Sequence, residues 1–200
     1  MRIVAGEYGG RRLKAVPGMK TRPTTDKVKE SMFNIIGPYF DGGMSLDLFA
    51  GSGGLSIEAV SRGIDHAVLI DRQYQAIKTI NENIKITKHP EKFTVKKGDS
   101  NKVIKALAKQ GLQFNLVFFD PPYKEQKIID MMKDLVELNL LENDALIVCE
   151  TDQVAGLPND FDDFQFLKSS DYGITHLTFY RYHGGKWNES SFSRKFWPNY

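Results

Sequence analysis

The sequence predicts an α/β fold built on a seven-stranded, mostly parallel sheet with helices on both faces and an antiparallel last strand. From residue 44 onward, short apolar runs alternate with amphipathic segments, which is the pattern of parallel strands joined by crossover helices. A glycine-rich turn follows the first of these runs, and four successive runs end at or near an aspartate. Ligands of open α/β sheets bind at the carboxyl ends of the strands, so the sequence predicts a crevice at that edge.

The first 40 residues precede this alternation and are predicted to form a β-hairpin followed by a helix. The hairpin spans Ile3 to about Val16, with Gly9-Gly10 near its turn. Pro23-Thr24-Thr25 then begins a helix, because the following apolar positions recur about every 3.6 residues. These positions are Val28, Met32, Ile35 and Ile36.

The alternating region supplies the remaining elements. Strands are predicted near 45–49, 66–70, 93–97, 114–119 and 145–149, and helices near 54–62, 73–87, 100–109 and 126–138. Two closing strands, near 164–168 and 174–182, have no helix between them and should pair antiparallel across Asp171-Tyr172-Gly173. The chain then divides into an N-terminal extension (1–40), an α/β core (41–182) and a C-terminal tail (183–200), with no internal repeat.

The first strand, from Met44 to Phe49, runs into the turn Gly51-Ser52-Gly53-Gly54. Glycines there permit positive φ angles and let a ligand approach the backbone closely. The spacing differs from the dinucleotide fingerprint G-x-G-x-x-G. In addition, Asp47 precedes the turn, and a carboxylate there repels a pyrophosphate but suits a cationic ligand. A plain strand-to-helix turn is the alternative interpretation.

The next two strands also lead into acids. The run Ala67 to Ile70 ends at Asp71, which lies 20 residues beyond Gly51. In dinucleotide-binding folds an acid at this position accepts hydrogen bonds from ribose hydroxyls. The third strand is followed by Gly98-Asp99-Ser100. Each aspartate alone is equally well explained as a cap of the following helix, but four in succession favour one shared crevice.

The fourth strand, 114–119, is followed by Asp120-Pro121-Pro122-Tyr123. Asp120 can accept hydrogen bonds from an exocyclic amino group, and the two prolines fix a rigid turn whose carbonyl groups are free to accept. Tyr123 offers a face on which a planar ring can stack. The tetrapeptide therefore predicts a site for a planar amine such as a nucleobase. A proline-rich turn without function is the alternative.

The composition indicates one domain. The 200 residues are 41% hydrophobic, which is enough for a substantial core. There is no apolar run of 18 residues and no apolar segment typical of a signal peptide. The single cysteine, Cys149, excludes an internal disulfide and fits a reducing cytoplasm. The four histidines have no metal-ligand spacing, so no metal is expected.

The basic charge is concentrated at the two ends. Residues 1–33 carry +5 and residues 181–200 carry +3, so the other 147 residues carry −6 of the total +2. Cations in the N-terminal segment are placed to follow a phosphate backbone, with a solvated face as the alternative. They are Arg2, Arg11, Arg12, Lys14, Lys20 and Arg22. The tail mixes cations with aromatic rings, typical either of base stacking or of an unstructured end.

Taken in order, these motifs resemble a known family. Asp47 to Gly53, Ile70-Asp71, Gly98-Asp99 and Asp120 to Tyr123 are similar to the motifs of class I, Rossmann-like, S-adenosylmethionine-dependent amino-methyltransferases. Together with the segments 2–6, 10–13 and 22–34, they resemble the RsmD family, bacterial enzymes that methylate N2 of a guanine in small-subunit ribosomal RNA. The resemblance covers about residues 1–182. The tail departs from it, and the family often has Phe where this chain has Tyr123.

The resemblance implies a cofactor, a substrate and a set of roles. S-adenosylmethionine is expected over the turn after the first strand, with its ribose near Asp71 and its adenine beside Asp99. The implied cofactor residues are Asp47, Phe49, Gly51, Ser52, Gly53, Asp71, Arg72, Asp99, Ser100, Arg22 and Thr25. Asp120, Pro121, Pro122 and Tyr123 are the implied catalytic residues, and Arg2, Arg11, Arg12, Lys14 and Arg22 the RNA-binding ones. The partner is ribosomal RNA, free or in an assembling particle, bound by a cytoplasmic monomer.

Other functions share parts of this pattern. A nicotinamide or flavin oxidoreductase has the same fold but does not explain Asp47 or the proline turn. A non-catalytic RNA-binding module explains only the basic ends. Adenine-N6, cytosine-N4 and protein glutamine-N5 methyltransferases use related turns, usually with Asn first. Methylation of pyrimidine C5 is disfavoured because it needs a nucleophilic cysteine, and Cys149 lies in an apolar run.

Overall fold

The computed structural model of the chain describes residues 1–18, 24–121, 127–152 and 156–184. Seven strands form one sheet: β1 (Met44–Asp47), β2 (His66–Asp71), β3 (Phe93–Lys97), β4 (Phe114–Phe119), β5 (Leu141–Asp152), β6 (Phe164–Tyr172) and β7 (Thr175–Tyr182). The helices are α1 (Asp26–Ile36), α2 (Gly54–Ser61), α3 (Tyr74–Thr87), α4 (Ser100–Lys109) and α5 (Ile128–Glu137). Within the described ranges, no helix is both long and apolar enough to cross a membrane.

The strands are arranged in the order β3-β2-β1-β4-β5-β7-β6. The first five pair in parallel, whereas β7 lies antiparallel between β5 and β6. This confirms the predicted α/β fold with its antiparallel closing strand. The strand order reverses between β1 and β4, so the carboxyl ends of those two strands flank the crevice in which ligands of such sheets bind.

Two predicted strands are longer in the structure. The prediction started β5 at residue 145, but Leu141 already pairs with Phe114, and the register then shifts so that Leu146 lies opposite Leu116. The prediction ended β6 at residue 168, but its ladder with β7 continues to Tyr172 opposite Thr175. Gly173, at φ +66°, then turns the chain into β7. Both extensions are ladders of backbone hydrogen bonds, which side-chain patterns do not reveal.

Apolar side chains cover both faces of the sheet. On one face, α1, α2 and α3 pack against alternate residues of the strands, including Phe118 of β4 and Val148 of β5. On the other face, α4 and α5 pack against Phe119 and Ile147. Successive residues of a strand point to opposite faces, so each strand contributes to both cores. This is why the central strands read as continuous apolar runs.

The N-terminal segment forms the predicted hairpin. Arg2 and Arg12 form an antiparallel bridge, and backbone hydrogen bonds join Ile3 to Arg11 at 2.9 Å and Leu13 to Met1 at 3.0 Å. Other backbone amides of the segment contact α2: those of Val4 and Ala5 donate to the carboxylate of Glu58, and that of Tyr8 donates to Ser61 Oγ. The segment is therefore fastened to the core of the protein along its length.

Candidate functional site

A cavity of about 310 Å³ opens at the carboxyl ends of β1 to β4. It gathers ten of the residues that the sequence predicts for the cofactor and for catalysis: Asp47, Phe49, Gly51, Ser52, Asp71, Arg72, Asp99, Ser100, Asp120 and Pro121. Side chains from outside these motifs, among them Thr24, Lys29 and Asn101, complete its wall. In the part of the chain that the structure describes, no three His, Cys, Asp or Glu side chains are grouped to hold a metal ion.

Asp71 holds the glycine-rich turn against the start of α3. Its Oδ2 accepts a hydrogen bond from the amide of Gly51 at 2.9 Å, and its Oδ1 accepts one from the amide of Gln73 at 2.9 Å. Each carboxylate oxygen keeps a further lone pair, with which it can accept from a ligand hydroxyl group. Gly51 has φ +57°, and a Cβ atom there would meet nothing within 4 Å, so its backbone faces open space.

Not every predicted residue lies on the cavity wall. Gly53 has φ +83°, and a Cβ atom there would lie 3.1 Å from Leu69, so this glycine allows the turn to pack closely on β2. Thr25 caps α1, where its Oγ1 accepts from the amide of Val28 at 3.3 Å. The roles predicted for Arg22, Pro122 and Tyr123 fall on residues outside the described ranges.

Asp47 is a buried acid on the cavity wall. Its side chain is 1% exposed, and burial raises its pKa to about 7, with smaller contributions from the charges of Asp71 and Glu150. One hydrogen bond, from the amide of Phe49 to Oδ1, acts in the opposite direction. Desolvation disfavours the ionised form of Asp47, and a positively charged ligand beside it favours that form. The position therefore suits a cationic ligand.

Asp120 has a second acid beside it, Glu150. Phe119 pairs with Cys149 across β4 and β5, so the residues that follow them, Asp120 and Glu150, are lateral neighbours. Burial raises the pKa of both side chains, and the charge of Glu150 raises that of Asp120 further. Two neighbouring desolvated carboxylates do not both ionise readily, so the pair favours holding one proton.

Glu150 was not among the predicted site residues. Its Oε2 accepts a hydrogen bond from Thr24 Oγ1 at 2.8 Å, which stabilises the ionised form of Glu150. The sequence did contain a signal, because Glu150 follows the apolar run of β5 just as Asp120 follows that of β4. The prediction included only the aspartates at the ends of the first four strands and not the acid after the fifth.

A buried asparagine, Asn83 of α3, is a second residue that the sequence did not reveal. Its Nδ2 donates to the carbonyl of Ser52 at 2.9 Å and to that of Lys14 at 3.0 Å, while its Oδ1 accepts from the amide of Lys14 at 2.8 Å. The cavity's glycine-rich turn and the basic N-terminal segment are thus joined through one side chain. A single asparagine within an amphipathic helix carries no sequence signal for such a contact.

Most of the predicted RNA-binding cations make contacts within the protein. Arg2 lies 3.5 Å from Asp26, and Lys14 lies 3.1 Å from Glu82. Arg11 donates to the carbonyl groups of Ile86 and Thr87 at the end of α3, so it acts as a C-terminal cap there. Arg12 is exposed. Arg2 and Lys14 remain largely exposed in these ion pairs. Because exposed ion pairs are weak, both side chains can exchange their carboxylate partner for a phosphate.

The cavity fits S-adenosylmethionine. It offers Asp47 to a positively charged ligand, the carboxylate of Asp71 to hydroxyl groups, and the open backbone of Gly51 to close approach. Its volume of about 310 Å³ lies within the usual range for cofactor sites. A parallel sheet with these acids at its strand ends and an antiparallel β7 between β5 and β6 defines a Rossmann-like class I methyltransferase.

Comparison with known proteins identifies the family. The model of the family described as "Conserved hypothetical protein 95" matches residues 1–181. The chain is 48% identical over 187 residues to "Putative rRNA methyltransferase YlbH" of Bacillus subtilis, covering 92% of this chain and 100% of that protein. It is 33% identical over 162 residues to "Ribosomal RNA small subunit methyltransferase D" of Escherichia coli, covering 79% of this chain and 78% of that one.

The solved structures agree. One described as "Putative methyltransferase yhhF from Escherichia coli" superposes with a TM-score of 0.78 at 29% identity, covering 92% of this chain and 99% of that chain. The chain therefore belongs to the Conserved hypothetical protein 95 family, and the resemblance to RsmD enzymes found in the sequence is confirmed.

Proposed function

We propose that this protein transfers a methyl group from S-adenosylmethionine to the N2 amino group of a guanine in small-subunit ribosomal RNA. The observation that carries the proposal is the position of Asp120, an amine-accepting carboxylate on the wall of the same cavity as Asp47 and Asp71. The names of the relatives support ribosomal RNA as the substrate. The assignment of guanine N2 as the methylated atom is supported by the motif resemblance and by Asp, rather than Asn, at position 120.

The chemistry required of the protein is modest. The cofactor supplies an electrophilic methyl group on a sulfonium. The guanine amino group is a poor nucleophile, because its lone pair is delocalised into the ring. Asp120 accepts a hydrogen bond from that amino group, which favours a localised lone pair, and it then accepts the proton that the methylated nitrogen loses. Pro121 stiffens the turn that holds Asp120 in line with the reacting atoms.

Glu150 tunes Asp120 for this role. The hydroxyl group of Thr24 stabilises the ionised form of Glu150, and that negative charge raises the pKa of Asp120. Once ionised, a carboxylate whose pKa is raised is a stronger proton acceptor than an ordinary aspartate. Glu150 is therefore a positioning residue that acts through Asp120.

The basic N-terminal extension provides the RNA side of the site. Lys14 and Arg12 lie on the segment that Asn83 joins to the glycine-rich turn, so phosphate contacts there are near the cofactor residues. The reaction needs a guanine that is unpaired or turned out of its helix, because the N2 group must enter the cavity. We also propose that the protein acts as a monomer in the cytoplasm, where ribosomal RNA is assembled.

The decisive experiment identifies the methylated product. The protein is incubated with S-adenosylmethionine labelled in its methyl group and with small-subunit RNA from cells that lack the protein, and the RNA is digested to nucleosides. Labelled N2-methylguanosine is the expected product. Label in methyladenosine, methylcytidine or protein contradicts the proposal. A parallel reaction with assembled small subunits shows which form of the RNA is the substrate, and Asp120→Asn, expected to be about 100-fold slower or more, is the control.

A further inference from the structure

The exposed side of α3 carries an aromatic and cationic surface that the sequence prediction did not include. Tyr74, Lys78, Asn81 and Lys85 follow one another at intervals of three or four residues, so they lie on one side of the helix, and Lys88 follows as its C-cap residue. All five are exposed, and Tyr74 is 67% exposed despite its large ring. We call these five residues the α3 stripe. The helix has 14 residues, so the stripe extends over about 20 Å.

The α3 stripe lies in a strongly basic part of the chain. Residues 72–109 contain ten Lys/Arg and three Asp/Glu, a net charge of +7, although they lie within the middle part of the chain whose total is −6. Of the three acids, Glu82 is paired with Lys14, Glu91 lies beyond the end of α3, and Asp99 caps α4. None of the three acids belongs to the α3 stripe, whose only charged side chains are its lysines.

The stripe begins at the cavity. Arg72 and Gln73 line the cavity, and Tyr74 is the next residue along the chain. Towards its other end, α3 contacts the N-terminal segment, because Lys14 pairs with Glu82 and Arg11 caps the last turn of α3. The basic N-terminal segment and the lysine-bearing helix are thus in contact, and both border the cavity, through Ala15 and Val16 on one side and Gln73 on the other.

The stripe also lies on the side of the sheet where the acceptor acids point. The buried residues of α3 pack in the same core as Phe118 and Val148. Asp120 and Glu150 follow these two residues by two positions, so their side chains point to the same face of the sheet. Helix α4 also exposes three lysines, Lys102, Lys105 and Lys109, but it packs on the opposite face.

We propose that the α3 stripe is a docking surface for the RNA substrate, in which Lys78, Lys85 and Lys88 contact successive phosphates and Tyr74 stacks on a base next to the cavity. Lysines spaced along a helix match the repeating charge of a phosphate backbone, and an exposed aromatic ring among cations is a stacking platform. This inference rests on the proposed function and adds where the RNA lies on the protein.

The test compares two matched triple variants. Lys78→Gln, Lys85→Gln and Lys88→Gln together remove three charges from the α3 stripe, and Lys102→Gln, Lys105→Gln and Lys109→Gln remove the same charge from α4. Binding of small-subunit RNA is measured over a range of salt concentrations, together with affinity for S-adenosylmethionine. We expect the α3 variant to bind RNA at least about tenfold more weakly, and the slope of log K against log salt to fall by about 2 to 3. Cofactor affinity stays unchanged, and the α4 variant stays within about threefold of the wild type.

Tyr74 has its own matched control. Tyr74→Ala should raise the KM for RNA by about fivefold or more, the scale of one lost stacking contact. Tyr39 is similarly exposed, at 63%, but lies before β1, at the end of the sheet away from the cavity. Tyr39→Ala should leave the KM unchanged.

Two results would overturn the inference: an α3 variant that binds RNA like the wild type, or equal losses in the α3 and α4 variants, which indicate unspecific attraction. Both can occur in an enzyme that still methylates RNA, and then only the docking surface is wrong. If the wild-type protein neither binds nor methylates RNA, the proposed function itself fails.

Discussion

Lowering the pH from 8 to 6 should weaken binding of S-adenosylmethionine about tenfold. The perturbed group is Asp47, whose pKa burial raises to about 7. Only its ionised form compensates the positive charge of the cofactor. About nine-tenths of Asp47 is ionised at pH 8 and about one-tenth at pH 6, and the apparent Kd varies inversely with that fraction.

The assay is isothermal calorimetry with S-adenosylmethionine at pH 6, 7 and 8, on the wild type and on Asp47→Asn. The amino group of the cofactor titrates in this range as well, but it does so equally for both proteins, so the difference between them isolates Asp47. The variant should bind weakly at pH 8 and show a much smaller pH dependence.

This reasoning would be refuted by a wild-type Kd that changes less than about twofold between pH 6 and pH 8. It would also fail if Asp47→Asn showed the same tenfold dependence, because another group would then be responsible. In that case the acid that precedes the glycine-rich turn does not recognise the cofactor's charge.

Four further predictions concern acidic side chains. Asp120→Asn should slow methyl transfer by about 100-fold or more, with little change in cofactor affinity. Glu150→Gln should slow transfer by about tenfold and move the acid limb of the pH–rate profile to lower pH, because Asp120 then loses a neighbouring negative charge. An acid limb that does not shift would contradict the role of Glu150. Glu58→Gln should lower the free energy of unfolding by about 3 to 5 kcal/mol in chemical denaturation, because Glu58 is the buried partner of both Lys29 and Arg62; a change below about 1 kcal/mol would contradict this. The folded pKa of Asp47 lies above its ordinary value, so its contribution to stability is present below pH 4 and is lost as the pH rises through about 7. The free energy of unfolding of Asp47→Asn at pH 8 should therefore exceed that of the wild type by up to about 4 kcal/mol, seen as a higher unfolding temperature, and the difference should shrink towards pH 5.

Much of the architecture was predictable because it is encoded locally. Apolar runs such as Leu116 to Phe119 and turns such as Gly51 to Gly54 mark the central elements at nearly their observed positions. The aspartates at the ends of four strands were expected to share one crevice, since the carboxyl ends of parallel strands meet at one edge of the sheet. Asp47, Asp71, Asp99 and Asp120 all line one cavity.

The remaining features depend on contacts between distant parts of the chain. The N-terminal hairpin was expected and is present, but its attachment to α2 was not, because the amides of Val4 and Ala5 bind Glu58, more than 50 residues away. The pairing of Asp120 with Glu150 follows from the register of β4 against β5, which the sequence does not specify. The lysines of α3 can be read from the sequence, but their positive charge is outweighed in the net charge of residues 34–180, which contain most of the acids.

Asn83 has a consequence for how the two substrates influence each other. Its amide group binds the glycine-rich turn on one side and the backbone of Lys14 on the other, so neither segment can shift without breaking a hydrogen bond that orients the other. Thermodynamic linkage makes such coupling reciprocal. A ligand that orders the turn is therefore expected to order the N-terminal segment as well. If RNA binds that segment, as proposed, it favours the cofactor-binding form of the turn, and each substrate raises the affinity of the protein for the other.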